Sequence, residues 1–159
     1  MKLDCDSAPA RGLRRYVRLV AVALGPAVRR SAVDWGHPVN AHLVLNDRLR
    51  WFPSREVALG WDATEGWTMV LAAGARGSRT VLRFLGDDPL PEREDVATFS
   101  ARMFRDEFTG QADPPPLPTV TGDRDLAARL AGYAVPYRVH HRTRRVHLHG
   151  VITSWHERA

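Results

Sequence analysis

The stretch VHHRTRRVHLHG, residues 139–150, places four of the chain's seven histidines and three of its arginines within twelve residues. Two chemistries suit such a mixture. On a β-strand, His147 and His149 point to the same side, where two imidazoles can bind zinc or nickel. They are weak metal candidates, because no cysteine and no nearby carboxylate completes a ligand set. The second chemistry is phosphate binding. Arg138, Arg142, Arg144 and Arg145 can neutralise phosphates, and Tyr137 and Trp155 are placed to stack on bases. A solvated or partner-facing strand pair has the same composition, so the expectation is no resident metal and no cofactor.

The net charge has the same address. Residues 134–159 hold five arginines against the single acid Glu157, so +4 of the chain's +5 lies there. The first 133 residues are almost neutral. That asymmetry marks the tail as the part suited to an anionic partner. Arginine supplies all the basic residues except Lys2, the usage of a GC-rich genome, which lowers the information in any one arginine.

Enzyme chemistry finds little support. The chain contains no GxSxG, no phosphate-loop glycine pattern, no HExxH and no CxxC. His37, His42 and Asp62 fall near expected strands, but nothing in their spacing brings them together. Asp87, Asp88, Glu92, Glu94 and Asp95 could serve acid–base or metal chemistry. They also stand where a helix would begin, and the helix dipole favours acids there. The expected protein is not an enzyme.

These residues need elements to position them. Leu13, Tyr16, Val17, Val20 and Leu24 recur at helical spacing over residues 11–24, with Asp6 or Ser7 as cap and Gly25-Pro26 as stop. Arg11, Arg14, Arg15 and Arg18 then share the opposite face, which could extend a nucleic-acid footprint. The apolar run LVAVALGPAV, residues 19–28, is too short to span a bilayer, which needs about 20 residues. Arg14-Arg15 ahead of it could head an export signal, but Arg18, Arg29-Arg30, Asp4 and Asp6 spoil the pattern. A cytoplasmic protein without membrane contact is expected. Cys5, the single cysteine, cannot form an internal disulfide.

Strands follow. AHLVL, residues 41–45, alternates, and residues 56–72 read as a hairpin. With Asp62–Gly66 as its loop, Trp61 sits opposite Trp67. Val57, Leu59, Trp61, Trp67, Met69 and Leu71 then share a bulky face, while Ala58, Gly60, Thr68 and Val70 share a small, smooth one. The small face suits a partner protein or a second copy of the chain. Residues 79–85 supply a third partner beside the hairpin, with Leu82 and Phe84 toward the core. A second helix follows Pro89 and Pro91, burying Val96, Phe99 and Met103.

The expected class is therefore α+β: a helix, a three- to four-stranded antiparallel meander and a helix, then a C-terminal short helix and a basic β-ribbon. The corresponding division is a core domain at 8–111, a proline-rich linker at 112–122, a short helix at 123–133 and an Arg/His-rich extension at 134–159.

The motifs RGLRRYVRLVAVALG, GWDATEGW and FLGDDPLPEREDVATF resemble those of an uncharacterised family of small actinomycete (Streptomyces-type) proteins, over roughly residues 10–133. The resemblance implies a soluble bacterial protein and carries no catalytic residues with it. The helix–meander–helix order is also similar to that of secretion-chaperone-like folds, which bind other proteins. Together these readings lead us to expect a binding or regulatory module acting through protein–protein contacts, with nucleic-acid binding by the tail and first-helix arginines as the alternative.

Overall fold

A computed structural model describes residues 3–72, 79–116 and 120–134 of the chain. The tail candidates Tyr137, Arg138, Arg142, Arg144, Arg145, His147, His149 and Trp155, with the predicted β-ribbon, lie outside the described residues.

The first helix, α1, spans Ala8–Leu24. Ser7 caps it: its Oγ accepts from the Ala10 amide, meeting one of the donors that a helix start leaves open. Gly25 ends it at φ 61°, a left-handed value that a side chain resists, and its amide returns to the Ala21 and Val22 carbonyls. Leu13, Tyr16, Val17 and Val20 are buried as their spacing predicts. One 3-10 turn, Gly25–Ala27, then reverses the chain.

Five strands follow as an antiparallel meander in sequence order: β1 Val28–Asp34, β2 Asn40–Leu45, β3 Val57–Asp62, β4 Gly66–Leu71 and β5 Thr80–Phe84. The sequence leads to an expected count of three to four, and the unforeseen strand is β1. Its sequence, VRRSAVD, shows no apolar alternation, because as the outermost strand of the sheet it leaves Arg29, Arg30 and Ser31 exposed. The β3–β4 hairpin matches its expected register, with Trp61 opposite Trp67 and Leu59 opposite Met69. Asp62 shapes the turn by accepting from the amides of Thr64 and Glu65.

The bulky face of β2, β3 and β4 joins α1, Val96, Phe99 and Met103 in one core. Leu82 packs against this core as expected, but Phe84 does not join it. The β4–β5 register shifts between Met69 and Val70 and pairs Phe84 with Thr68, so Phe84 is buried on the other side.

The helix α2 covers Arg93–Phe104, with Glu94 and Asp95 in its first turn. The third helix, α3, runs Val120–Ala134, starting inside the expected linker and ending one residue later than expected. It is no appendage to a core ending at residue 111. Leu126 and Leu130 belong to the main core, and Tyr133 stacks edge-on against Tyr16 at 5.1 Å between centroids. At the α1–α3 crossing the backbones nearly touch. A Cβ added at Gly12 would fall 1.7 Å from the Leu130 carbonyl oxygen.

A polar line runs through this core. Trp67 Nε1 donates to the Tyr16 hydroxyl at 3.0 Å, which donates to the Pro91 carbonyl at 2.8 Å. Trp61 Nε1 donates to the Pro89 carbonyl at 2.6 Å. The two tryptophans thus bury their rings and also anchor the segment that leads into α2.

Candidate functional site

Three surfaces within the described residues carry the chemistry that the sequence singles out: the acidic cluster before α2, the small face of the sheet, and the arginine face of α1.

The acidic cluster borders a groove of about 350 Å³ formed by Asp87, Asp88, Asp95, Thr98, Phe99 and Arg102, among others. Its carboxylates hold loops together. Asp88 Oδ1 accepts from the Leu90 amide, and Arg129 grips both oxygens of Asp88 at 2.8 and 3.0 Å while also reaching the Leu90 carbonyl. Asp87 accepts from Gln111. Burial opposes ionisation of Asp88, but the hydrogen bonds from Arg129 and the Leu90 amide outweigh it and hold its carboxyl below the usual range. A depressed pKa stabilises the fold above the unfolded value of about 4, and that stability disappears as pH falls through the folded value. Denaturant titrations should therefore show wild type losing its advantage over Asp88→Asn below about pH 4. Because the Asp88 side chain is half exposed, the difference at neutral pH should stay below about 1 kcal/mol.

The small face is closed. Ala58 and Val70 are each 5% exposed, Thr68 is 1% exposed and Gly60 is buried. Val44 and Val81 pack with Ala58 and Val70 in a second, minor cluster. The Arg79 guanidinium lies over Gly60, 3.4 Å from where a Cβ would stand, and pairs with Glu65. The sequence alone assigns these four residues to a partner. They are instead buried within the chain.

The arginine face does form. Arg11, Arg14 and Arg18 are exposed, Arg15 is half-buried, and all four border one shallow groove with Leu19 and Val22. They have local work as well. Arg11 donates to the Asp6 carbonyl, and Arg14 donates to the Cys5 carbonyl at 3.0 Å. Arg14 also sits over the Trp35 ring, 4.5 Å from its centroid, a cation–π contact. Asp4, Cys5 and Asp6 gather exposed ligand atoms within 4.8 Å; the Asp4 carboxylate accepts from the Asp6 amide, and its backbone carbonyl accepts from the Ser7 hydroxyl, so both help to shape the turn.

Sequence reasoning misses the neighbouring surface. The reversal at Gly25–Ala27 lays β1 back along α1, and between them lies a second groove of about 440 Å³. Arg14, Val17 and Arg18 line it from the helix, and Ser31, Ala32, Val33 and Trp35 from the strand side. Val17 gives it an apolar floor, and its lining includes two cations and no acid. The available signal is weak: an apolar pair, Ala32-Val33, shortly after two arginines.

Among the described residues no helix is long and apolar enough to cross a membrane. No solved structure matches the chain. An 80-residue stretch is 28% identical to one of the subunits of the A-type ATP synthase from Methanoculleus marisnigri. The match takes in half of this chain but spans only 13% of that subunit's length. A family model, by contrast, matches residues 16–102, from the middle of α1 to the last turn of α2, and takes in the whole meander. With that match covering more than half of its length, the chain belongs to the family of unknown function DUF6292.

Proposed function

We propose that the chain is a non-enzymatic, intracellular protein-binding module from an actinomycete cytoplasm, and that it meets its partner through the α1–β1 face rather than the small face of the sheet. One observation carries this reading: the 440 Å³ groove, where an apolar floor and two arginines adjoin the outermost strand of the sheet. Apolar area beside placed charges gives both affinity and selectivity. The use of Asp62, Asp87 and Asp88 as loop fasteners supports a binding role over catalysis.

The test is site-directed photo-crosslinking in the source cells. A photoreactive residue at Ser31 should give protein adducts that survive nuclease treatment, whereas one at Arg124, exposed on α3, should give none. Equal labelling from both positions, or none from either, would sink the proposal.

A second reading, nucleic-acid binding, is favoured by the alignment of Arg11, Arg14, Arg15 and Arg18 on one helix face. Its signature is electrostatic. If those four side chains meet duplex phosphates, log affinity should fall with log salt at a slope of roughly −3 to −4. The quadruple glutamine variant should lose that slope in anisotropy titrations, and an unchanged slope would exclude this helix as the site.

A further inference from the structure

We propose that β1 accepts an extended acidic segment of a partner protein as a sixth strand, with carboxylates at positions i and i+2 seated on Arg14 and Arg18. This rests on the protein-binding reading above and names the chemistry of the partner.

The first argument is the guarding of the edge. Sheets protect outer strands with charges, bulges or prolines, because unpaired backbone groups recruit other strands. In β1 the cationic guards are in one half, and the single acid, Asp34, closes the strand and accepts from the Gly36 amide. Arg29 and Arg30 are exposed, Arg29 pairs with Glu56, and the register with β2 is irregular between Val28 and Arg30. From Ser31 to Val33 the pairing with β2 is regular and the side chains carry no charge. Among the described residues β2 is the sole strand paired to β1. The unguarded half is also the half that lines the groove.

The second argument is charge and spacing. Arg14 and Arg18 are one helical turn apart, a rise of about 6 Å. Same-side residues of an extended strand repeat at about 6.6 Å. Two carboxylates separated by one residue therefore match the two guanidiniums. Trp35 holds Arg14 over the end of the groove and limits the freedom lost on binding. This is strand addition, in which main-chain hydrogen bonds supply affinity and alternate side chains supply selectivity.

The experiment uses the full chain and three synthetic heptapeptides: TVEVEVT, TVQVQVT and TVKVKVT. Affinity is read by anisotropy and backbone pairing by amide exchange. TVEVEVT should bind about tenfold or more tightly than TVQVQVT, a difference expected for charge-assisted contacts. It should also slow exchange at outward-facing amides of residues 31–33. The exposed Arg18 is the side chain to vary. Arg18→Glu should lose the preference for TVEVEVT and gain binding to TVKVKVT, which a merely misfolded variant would not do. Equal affinity for the glutamate and glutamine peptides overturns the proposal. So does binding without slowed exchange in β1, or exchange slowed by duplex DNA rather than by any peptide. If Ser31 crosslinks a protein while no peptide slows β1 exchange, the strand-addition proposal fails and the protein-binding reading survives. If neither occurs, both fail.

Discussion

Gly12→Ala should destabilise the protein by about 3 kcal/mol or more, the upper end for overpacking. The reason lies in what the new methyl meets. It would stand 1.7 Å from the Leu130 carbonyl oxygen and 2.6 Å from its carbon, both backbone atoms of α3. A side chain can rotate away from such an intruder, but a helix backbone must move as a body. Moving α3 off α1 withdraws Leu126, Leu130 and the Tyr133 ring from the core. Intrinsic helix preference acts in the opposite direction, since alanine is favoured over glycine by about 1 kcal/mol. A control separates the two effects. Gly132 lies in α3 with nothing within 4 Å of its would-be Cβ. Gly132→Ala should therefore stabilise by about 0.5–1 kcal/mol. Urea midpoints for the two variants, moving in opposite directions, would confirm the crossing; a neutral Gly12→Ala would refute it.

Trp67→Ala should cost about 3–5 kcal/mol, comparable with the whole stability of a marginal domain. Trp67 is 0% exposed at the centre of the sheet's bulky face. The more informative variant is Tyr16→Phe. It keeps the ring and removes the hydroxyl that accepts from Trp67 and donates to the Pro91 carbonyl. The Trp67 indole N–H then loses its acceptor in the core and the half-buried Pro91 carbonyl loses its donor, at about 1–3 kcal/mol. The same hydroxyl should betray itself in alkaline titration. Burial pushes the Tyr16 phenol far above its usual value, against the lowering effect of the Trp67 hydrogen bond. A raised folded value means that Tyr16 contributes its full stability below the unfolded pKa of about 10, and that this is lost as pH rises through the folded value. Burial raises the Tyr133 phenol as well, so absorbance at the phenolate band should show late-ionising tyrosines, and Tyr16→Phe should remove the latest component while leaving that of Tyr133. A normal titration of all tyrosines in the folded protein would contradict the buried line.

The parts of this fold that are legible in the sequence are those where local pattern and tertiary role agree. The β3–β4 hairpin can be read to the residue, because strict alternation and the DATE turn fix both register and face. The stripe of α1 is legible for the same reason. Strand β1 is not, since a solvated edge has no apolar alternation to detect. The core role of α3 is hidden as well. Leu126 and Leu130 suit any amphipathic helix, and only the closeness permitted by Gly12 tells where they go. The α1–β1 groove is the least legible feature, because its two walls are made by residues far apart in pattern and joined only by the reversal at Gly25–Ala27. The arginine stripe is visible in the sequence, but its spacing becomes meaningful only with an open strand beside it.

The meander has a consequence for the order of folding. Each strand pairs with its sequence neighbours, so the sheet can zip from local hairpins with little loop-closure cost. The α1–α3 contact is the opposite case: Gly12 and Leu130 are separated by most of the chain. In chain order α1 precedes the sheet, and α3, the helix that shields part of its apolar side, follows it. Until α3 docks, that side rests on the sheet and α2 alone, so a state lacking α3 exposes apolar surface prone to association. The exposed Arg11, Arg14 and Arg18 on the opposite side of α1 give such a state a charged surface that opposes that association.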